Sequence, residues 1–183
     1  MPDNAHYLAF LSDPDQASRE MELKIFLGPN AERFIPAYRG LRPGASGKPS
    51  FSLRGAGFSI GAFFTGPVWF FYRKLWSAAW TVTALLVVFA GLGLVFPHAP
   101  LNRLGLPIAV ILALNANRIC VMHAVQRIQT LRTPDGTVTQ EVLTSQGGIS
   151  KRAAWIAGLV YGGITLLSFL SIIYLAMHGI APE

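Results

Sequence analysis

The sequence predicts an all-α membrane protein: about three transmembrane helices, an interfacial or re-entrant aromatic segment, and a small cytoplasmic helical head. Three observations carry that reading. Of 183 residues 52% are hydrophobic and only 13% are charged, where a soluble domain has about a quarter charged, and mean hydropathy is +0.43. Two runs, Leu75 to Phe96 and Ala153 to Met177, hold no charged residue and exceed the roughly 18 residues that mark a membrane-crossing helix. The basic residues sit at the ends of apolar runs, where orientation in a bilayer requires them.

The net charge of +6 therefore reads as topological. No basic patch interleaved with aromatics stands away from the membrane segments, so membrane lipids and not nucleic acid are the expected partners. A single cysteine, Cys120, excludes an internal disulfide. Residues 1–20 are charged throughout and lack an apolar core, so no cleaved signal is expected.

Residues 1–57 form the polar head. Asp13 is a suitable N-cap, Pro14 suits a first helical position and Gln16 completes a capping box. Ala17, Met21 and Ile25 then repeat at helical spacing, so the pattern predicts a helix over 14–27 stopped by Gly28. With Asn30 as cap, 31–39 predicts a second short helix presenting Phe34, Ile35 and Tyr38. Residues 40–57 are rich in Gly, Pro and Ser and read as a linker.

The membrane section is 58–183. It opens with an aromatic box, FSIGAFFTGPVWFFYRKLW over 58–76, of which 58–74 is the interfacial part. Fifteen helical residues reach only about 22 Å, short of the roughly 30 Å hydrocarbon core. Gly66-Pro67 breaks the segment, since proline lacks a donor and clashes with the preceding turn. The box is read as a docking element that holds the head against the first span. It offers Phe63, Phe64, Trp69, Phe70, Tyr72, Arg73, Lys74 and Trp76 to a protein partner or to lipid headgroups. A plain aromatic belt at the start of the first span is the alternative.

Spans follow at 75–96, 104–122 and 153–177. In the first, Ser77, Thr81, Ala84, Val88 and Gly91 form a small-residue stripe that would admit another helix closely. Residues 97–100 read as a tight turn. The second span ends on Asn115, Asn117 and Arg118, either a polar site facing the bundle interior or an interfacial helix end with Arg118 snorkelling. His123, Arg127 and Arg132 would carry that helix out into water. Residues 133–136 read as a turn and 137–146 carry no assignment. Gly147-Gly148 is a hinge, and Ser150 caps the third span, where Gly158 and Gly162 form a G-x-x-x-G packing pair.

Nine of the fifteen basic residues precede Leu75, five lie between Arg118 and Arg152, and only Arg103 lies in the loop after the first span. The positive-inside rule puts the N-terminus in the cytoplasm and the C-terminus outside.

The box, with Ala62-Phe63-Phe64, Gly66-Pro67, Trp69 and Tyr72-Arg73-Lys74, resembles the signature of an uncharacterised bacterial inner-membrane family catalogued as domain of unknown function 2628. Ile25 to Tyr38, Ala116-Asn117-Arg118 and Gly147-Gly148-Ile149-Ser150 are similar to further pieces of it, so the resemblance spans roughly 25–152. The chain departs from the pattern at Phe58, Ser59 and Ile60, where the family has tryptophan and asparagine, and at Cys120, where it has tyrosine. The resemblance implies a small multi-pass membrane protein and brings no activity with it.

Catalytic and metal motifs are missing from the sequence, and no acidic residue stands between Glu32 and Asp135. No enzyme, metal or cofactor is therefore expected; a metal pair from His98 and His178 is the one conceivable exception. The expected role is an accessory or interaction subunit of a larger membrane assembly. The alternative is a lipid- or small-molecule-binding or transport module acting as an oligomer.

Overall fold

The structure, a computed structural model, describes residues 9–43, 49–51, 57–96, 104–133 and 136–178. Its helices are α1 (Gln16–Leu27), α2 (Ile35–Arg39), α3 (Ile60–Thr65), α4 (Pro67–Tyr72), α5 (Trp76–Val95), α6 (Gly105–Leu131), α7 (Gln140–Gln146) and α8 (Lys151–Met177). Three helical stretches are long and apolar enough to cross a membrane, and they fall on α5, α6 and α8. The expected turn at 97–100, His98 and Arg103, and part of the turn at 133–136, lie outside the described residues.

The head differs from expectation at its helix starts. The first cap is Asp15 and not Asp13: its side chain accepts from the N–H of Ser18. Asp13 instead accepts from the N–H of Asp15, which holds the chain in a non-helical turn before the cap. Gln16 reaches back as foreseen, but to the carbonyls of Asp13 and Leu11. The second helix splits into a 3₁₀ turn, Ala31–Arg33, and α2. Pro36 has no N–H to give to a preceding turn, so a continuous helix over 31–39 cannot keep its bonds. Asn30 stands in the left-handed region at φ 65° without a side-chain cap bond. The expected linker contains a short antiparallel ribbon, β1 (Leu41–Pro43) with β2 (Pro49–Phe51), pairing Leu41 with Phe51.

One apolar core runs from the head into the membrane section. Leu23, Phe26, Phe34 and Ile35 meet Val121, Ala124, Val125 and Ile128 of α6, and the same cluster continues through Phe70 and Leu75 to Val82. Helix α6 is long for this reason. Twenty-seven residues reach about 40 Å, well past a bilayer core, and the surplus is the pillar against which the head packs. Charges fix that contact. Arg132, only 11% exposed, donates to Glu22 at 2.7 Å, and Arg19 pairs with both Glu22 and Asp13. Arg132, expected in water, is thus the head's anchor on α6.

The phenol of Tyr38 donates to Gln16 at 2.8 Å. Burial, then the charge of Glu20, pushes its pKa from 10.0 up to about 12. A pKa raised by folding means that the native head holds the proton more tightly than the unfolded chain. The associated stability is complete below about pH 10 and is lost as pH rises towards about 12. Relative to Tyr38→Phe, the parent should show a constant melting temperature up to pH 10 and a falling one above it. A difference that does not change with pH would contradict this.

Candidate functional site

Three distant segments meet at the end of the box. The break expected at Gly66-Pro67 is present: Gly66 adopts φ 50° between α3 and α4, a conformation open to glycine. Helix α4 then points its last residues at the head and at the α7–α8 hinge. Arg73 donates Nη1 to the carbonyl of Leu27 at 3.1 Å, and its guanidinium lies over the ring of Phe34 at 4.6 Å. Lys74 donates Nζ to the carbonyl of Gly147 at 2.6 Å. Two backbone bonds complete the clasp: Gly148 N–H to Phe26 O at 2.7 Å, and Ser150 N–H to Tyr72 O at 2.8 Å.

The placement of the two cations has an electrostatic cause. Leu27 ends α1 and Gly147 caps the end of α7. A helix C-terminus presents carbonyls with no partner inside the helix and carries the negative end of the helix dipole. A cation there contributes about 0.3–1 kcal/mol, and up to about 2 when partly buried. Arg73 and Lys74 each serve one such end. Lys74 does so from φ 58°, a left-handed conformation that costs a side-chain-bearing residue about 1–2 kcal/mol and that its bond to Gly147 offsets.

The aromatic residues of the box divide into two groups. Phe70 and Phe71 are buried, Trp69 packs by its ring against Phe34 and Phe70, and Tyr72, Arg73 and Lys74 are bound into the clasp. Trp69 and Arg73, expected to face a partner or lipid, instead lie against Phe34 of the head, and Lys74 is taken up by Gly147. The outward group is Phe63 and Phe64, which stack on each other with Phe64 78% exposed, together with Trp76, half exposed beside Phe71.

Asn115 and Asn117 turn to different carbonyls. Asn115 donates to the carbonyl of Ile111 in its own helix. Asn117 is buried and donates to the carbonyl of Gly57 at 3.3 Å, while Ser59 N–H reaches Ala113 O at 3.1 Å. These two bonds tie the entrance of the box to the middle of α6. Arg118 lies half-buried one residue on. The small-residue faces of α5 and α8 do not meet at their glycines among the described residues. Among the described residues, no atom outside the helix's own backbone lies within 4 Å of where a Cβ would stand on Gly91, Gly158 or Gly162, and α5 buries Ala79 and Val82 instead. Short apolar runs do not say which face is covered, and here the box covers it.

Among the described residues no three His, Cys, Asp or Glu side chains gather as a metal site. His178 stacks on Tyr174 at 4.2 Å; a pairing with His98 lies outside the described residues. The carbonyls of Phe26, Leu27 and Gly147 escaped sequence reasoning, since backbone carries no residue signal.

The fold and site define a small helical protein with membrane-length helices and a head clasped to their base. Residues 44–126 match the family model described as Protein of unknown function (DUF2628), so over this stretch the resemblance read from the box holds. No curated protein and no solved structure matches the chain.

Gly147 tests the clasp. A Cβ there would stand 2.2 Å from Phe26 O and 2.8 Å from Leu143 O, so α1 must lift away from α7. Gly147→Ala should cost about 1–3 kcal/mol and open new protease cuts in 16–39. Gly136, at φ 74° with nothing within 4 Å, is the control: Gly136→Ala strains its own turn by about 1–2 kcal/mol and leaves the head protected. Equal protection of the head in both variants would show that the clasp does not hold it.

Proposed function

We propose that the chain is an accessory or interaction subunit of a larger membrane assembly, with its docked head as a rigid base and α8 as the helix offered to a partner. The observation that supports this most is α8. Its first turns rest against the box, Tyr161 bonds Thr83 of α5, and among the described residues no atom from elsewhere in the chain lies within 4 Å of where a Cβ would stand on Gly158 or Gly162. An open G-x-x-x-G face on a membrane-length helix lets another backbone approach closely. The proposed role is binding and not catalysis, in keeping with the missing carboxylates between Glu32 and Asp135. A second reading, a lipid- or small-molecule-binding module acting as an oligomer, is favoured by one observation, an apolar groove between α5 and α8.

The proposed setting is the inner membrane of a bacterium, with the head in the cytoplasm and the C-terminus outside, as the distribution of basic residues supports. Reporter fusions at Glu183 should be active only as periplasmic reporters. A cytoplasmic-only signal there would overturn the orientation.

Extracted in mild detergent, the protein should migrate with a stoichiometric helix partner, either another subunit or a second copy. Gly162→Leu puts a branched side chain on the open face and should strip that partner while the head stays protease-resistant. Leu167→Ile, on the far side of α8, should retain it. Unchanged partner content in both variants would sink the reading.

A further inference from the structure

We propose that α3 is the tip of a re-entrant loop whose outward side chains, Phe58, Ile60 and Phe64, stand among the acyl chains of the leaflet on the head's side; this rests on α6 crossing the bilayer and not on any partner of α8. Both ends of the loop are tied to the head. Before it, Phe51 of β2 pairs with Leu41, a buried residue of the head's core. After it, Arg73 and Lys74 bond the carbonyls of Leu27 and Gly147. Between these ties the chain climbs α6. Ser59 N–H reaches Ala113 O, and Asn117 reaches Gly57 O. Ala113 and Asn117 stand eight and twelve residues after Gly105, the first residue of α6, or about 12 and 18 Å along its axis. With α6 entering at Gly105, those levels bracket the middle of a roughly 30 Å hydrocarbon core. The head meets the same helix from Val121 to Ile128, about 24 to 35 Å along, where the core ends. A chain that leaves the level of the head, reaches mid-span and returns to the head enters and leaves on one side.

The neighbour of this tip is selected by what α3 turns outward. No charged residue stands from Gly55 to Tyr72. The rings of Phe58, Phe63 and Phe64 touch in series, and Ile60 lies one turn from Phe64 on the same side of the helix. Polar groups beneath this patch are bonded within the chain, as surroundings without water require. Ser59 Oγ accepts from Ala62 N–H, and the Thr65 hydroxyl donates to Gly61 O, in addition to the two bonds on α6. Side-chain size then separates lipid from a protein helix. Membrane helices approach one another through small residues. In α3 the small residues are turned inward: Ala62 is buried, and a Cβ on Gly61 would stand 2.8 Å from the ring of Trp69. The bulky ones, Phe58, Ile60 and Phe64, are exposed. Fluid acyl chains fill the spaces between large side chains, whereas a second helix would be held off by them.

Depth in the bilayer tests the loop. The full chain, with Cys120→Ala and Ile60→Cys, carries a nitroxide on the new thiol and is reconstituted in vesicles of phosphatidylcholine and phosphatidylglycerol. Collisions with oxygen, which gathers in the bilayer, are compared with collisions with a water-soluble nickel chelate. The label should read a depth of about 12–18 Å inside the edge nearer the head. Val87→Cys, exposed midway along α5, should read as deep, and Met21→Cys, exposed on α1, should read as in water. Phe58→Cys gives a second reading beside Ile60, and each variant should keep the head resistant to protease. A label at Ile60 and Phe58 that meets the chelate as readily as the one at Met21, with Val87 deep, places the segment at the surface and overturns the proposal. Labels shielded from oxygen and chelate alike would mean that protein covers α3, and also overturn it. A Val87 label in water removes the bilayer crossing itself, and the loop with it. None of these readings bears on the open face of α8, whose test is partner content.

Discussion

The structure depends on satisfying helix ends that are closed off from water. Where α1 and α7 finish, the carbonyls of Phe26, Leu27 and Gly147 point into the junction between head and membrane base. Buried carbonyls without donors are costly, and the negative ends of two helix dipoles add to the cost. The last turn of the box supplies donors carrying the right charge. Because Arg73 and Lys74 are adjacent in sequence, one short piece of backbone binds two helices remote in the chain. The left-handed φ of Lys74 follows from that double duty: adjacent side chains in a continuing helix would point in directions about 100° apart and could not serve both ends.

Around this clasp the rest of the architecture follows. The head is not a separate globule, because its apolar face packs on the emerging end of α6, on the inner half of the box and on Leu143 of α7. Arg132 with Glu22 and Asp13 guards the far edge of that contact. Partly buried pairs of this kind act mainly against misplacement, since an unmatched charge there would be heavily penalised. The base is therefore closed, with most of its polar groups bonded within the chain; the Nε atoms of Arg73 and Arg132 are buried there without an acceptor among the described residues. Away from it, α5 and α8 diverge from the clasp and keep most of their apolar side chains exposed. That contrast separates the parts of the chain that hold it together from those left available to lipid or to another helix.

The break at Gly66 makes the division possible. A straight helix through 58–76 would carry aromatics on all sides and bury none of them well. Interrupted at Gly66, α4 turns Phe70 and Phe71 inward, while α3 leans on α6 through Ser59 and Asn117 and keeps Phe64 outside. The entrance of the box is thereby bonded to the middle of a long apolar helix.

What the sequence determined by itself was whatever depends on local composition and spacing. Long uncharged runs at 75–96 and 153–177 announce helices that water would not tolerate, and Gly66-Pro67 announces a break, because each acts through the chain immediately around it. The caps were less legible: Asp13 and Asp15 are equally good acceptors, and only the course of the preceding turn chose Asp15. Tertiary structure decided everything that required two remote segments. It drew Trp69, Arg73 and Lys74 inward, turned Arg132 from a solvent charge into an anchor, and used Asn117 to hold the carbonyl of Gly57. It also left Gly158 and Gly162 open although their spacing advertises contact. A side chain's type states which interactions it can make, and periodicity states which face of a helix it occupies. Which face is then covered depends on long-range packing, and the carbonyls that Arg73 and Lys74 serve belong to the backbone, which is the same at every position in the sequence.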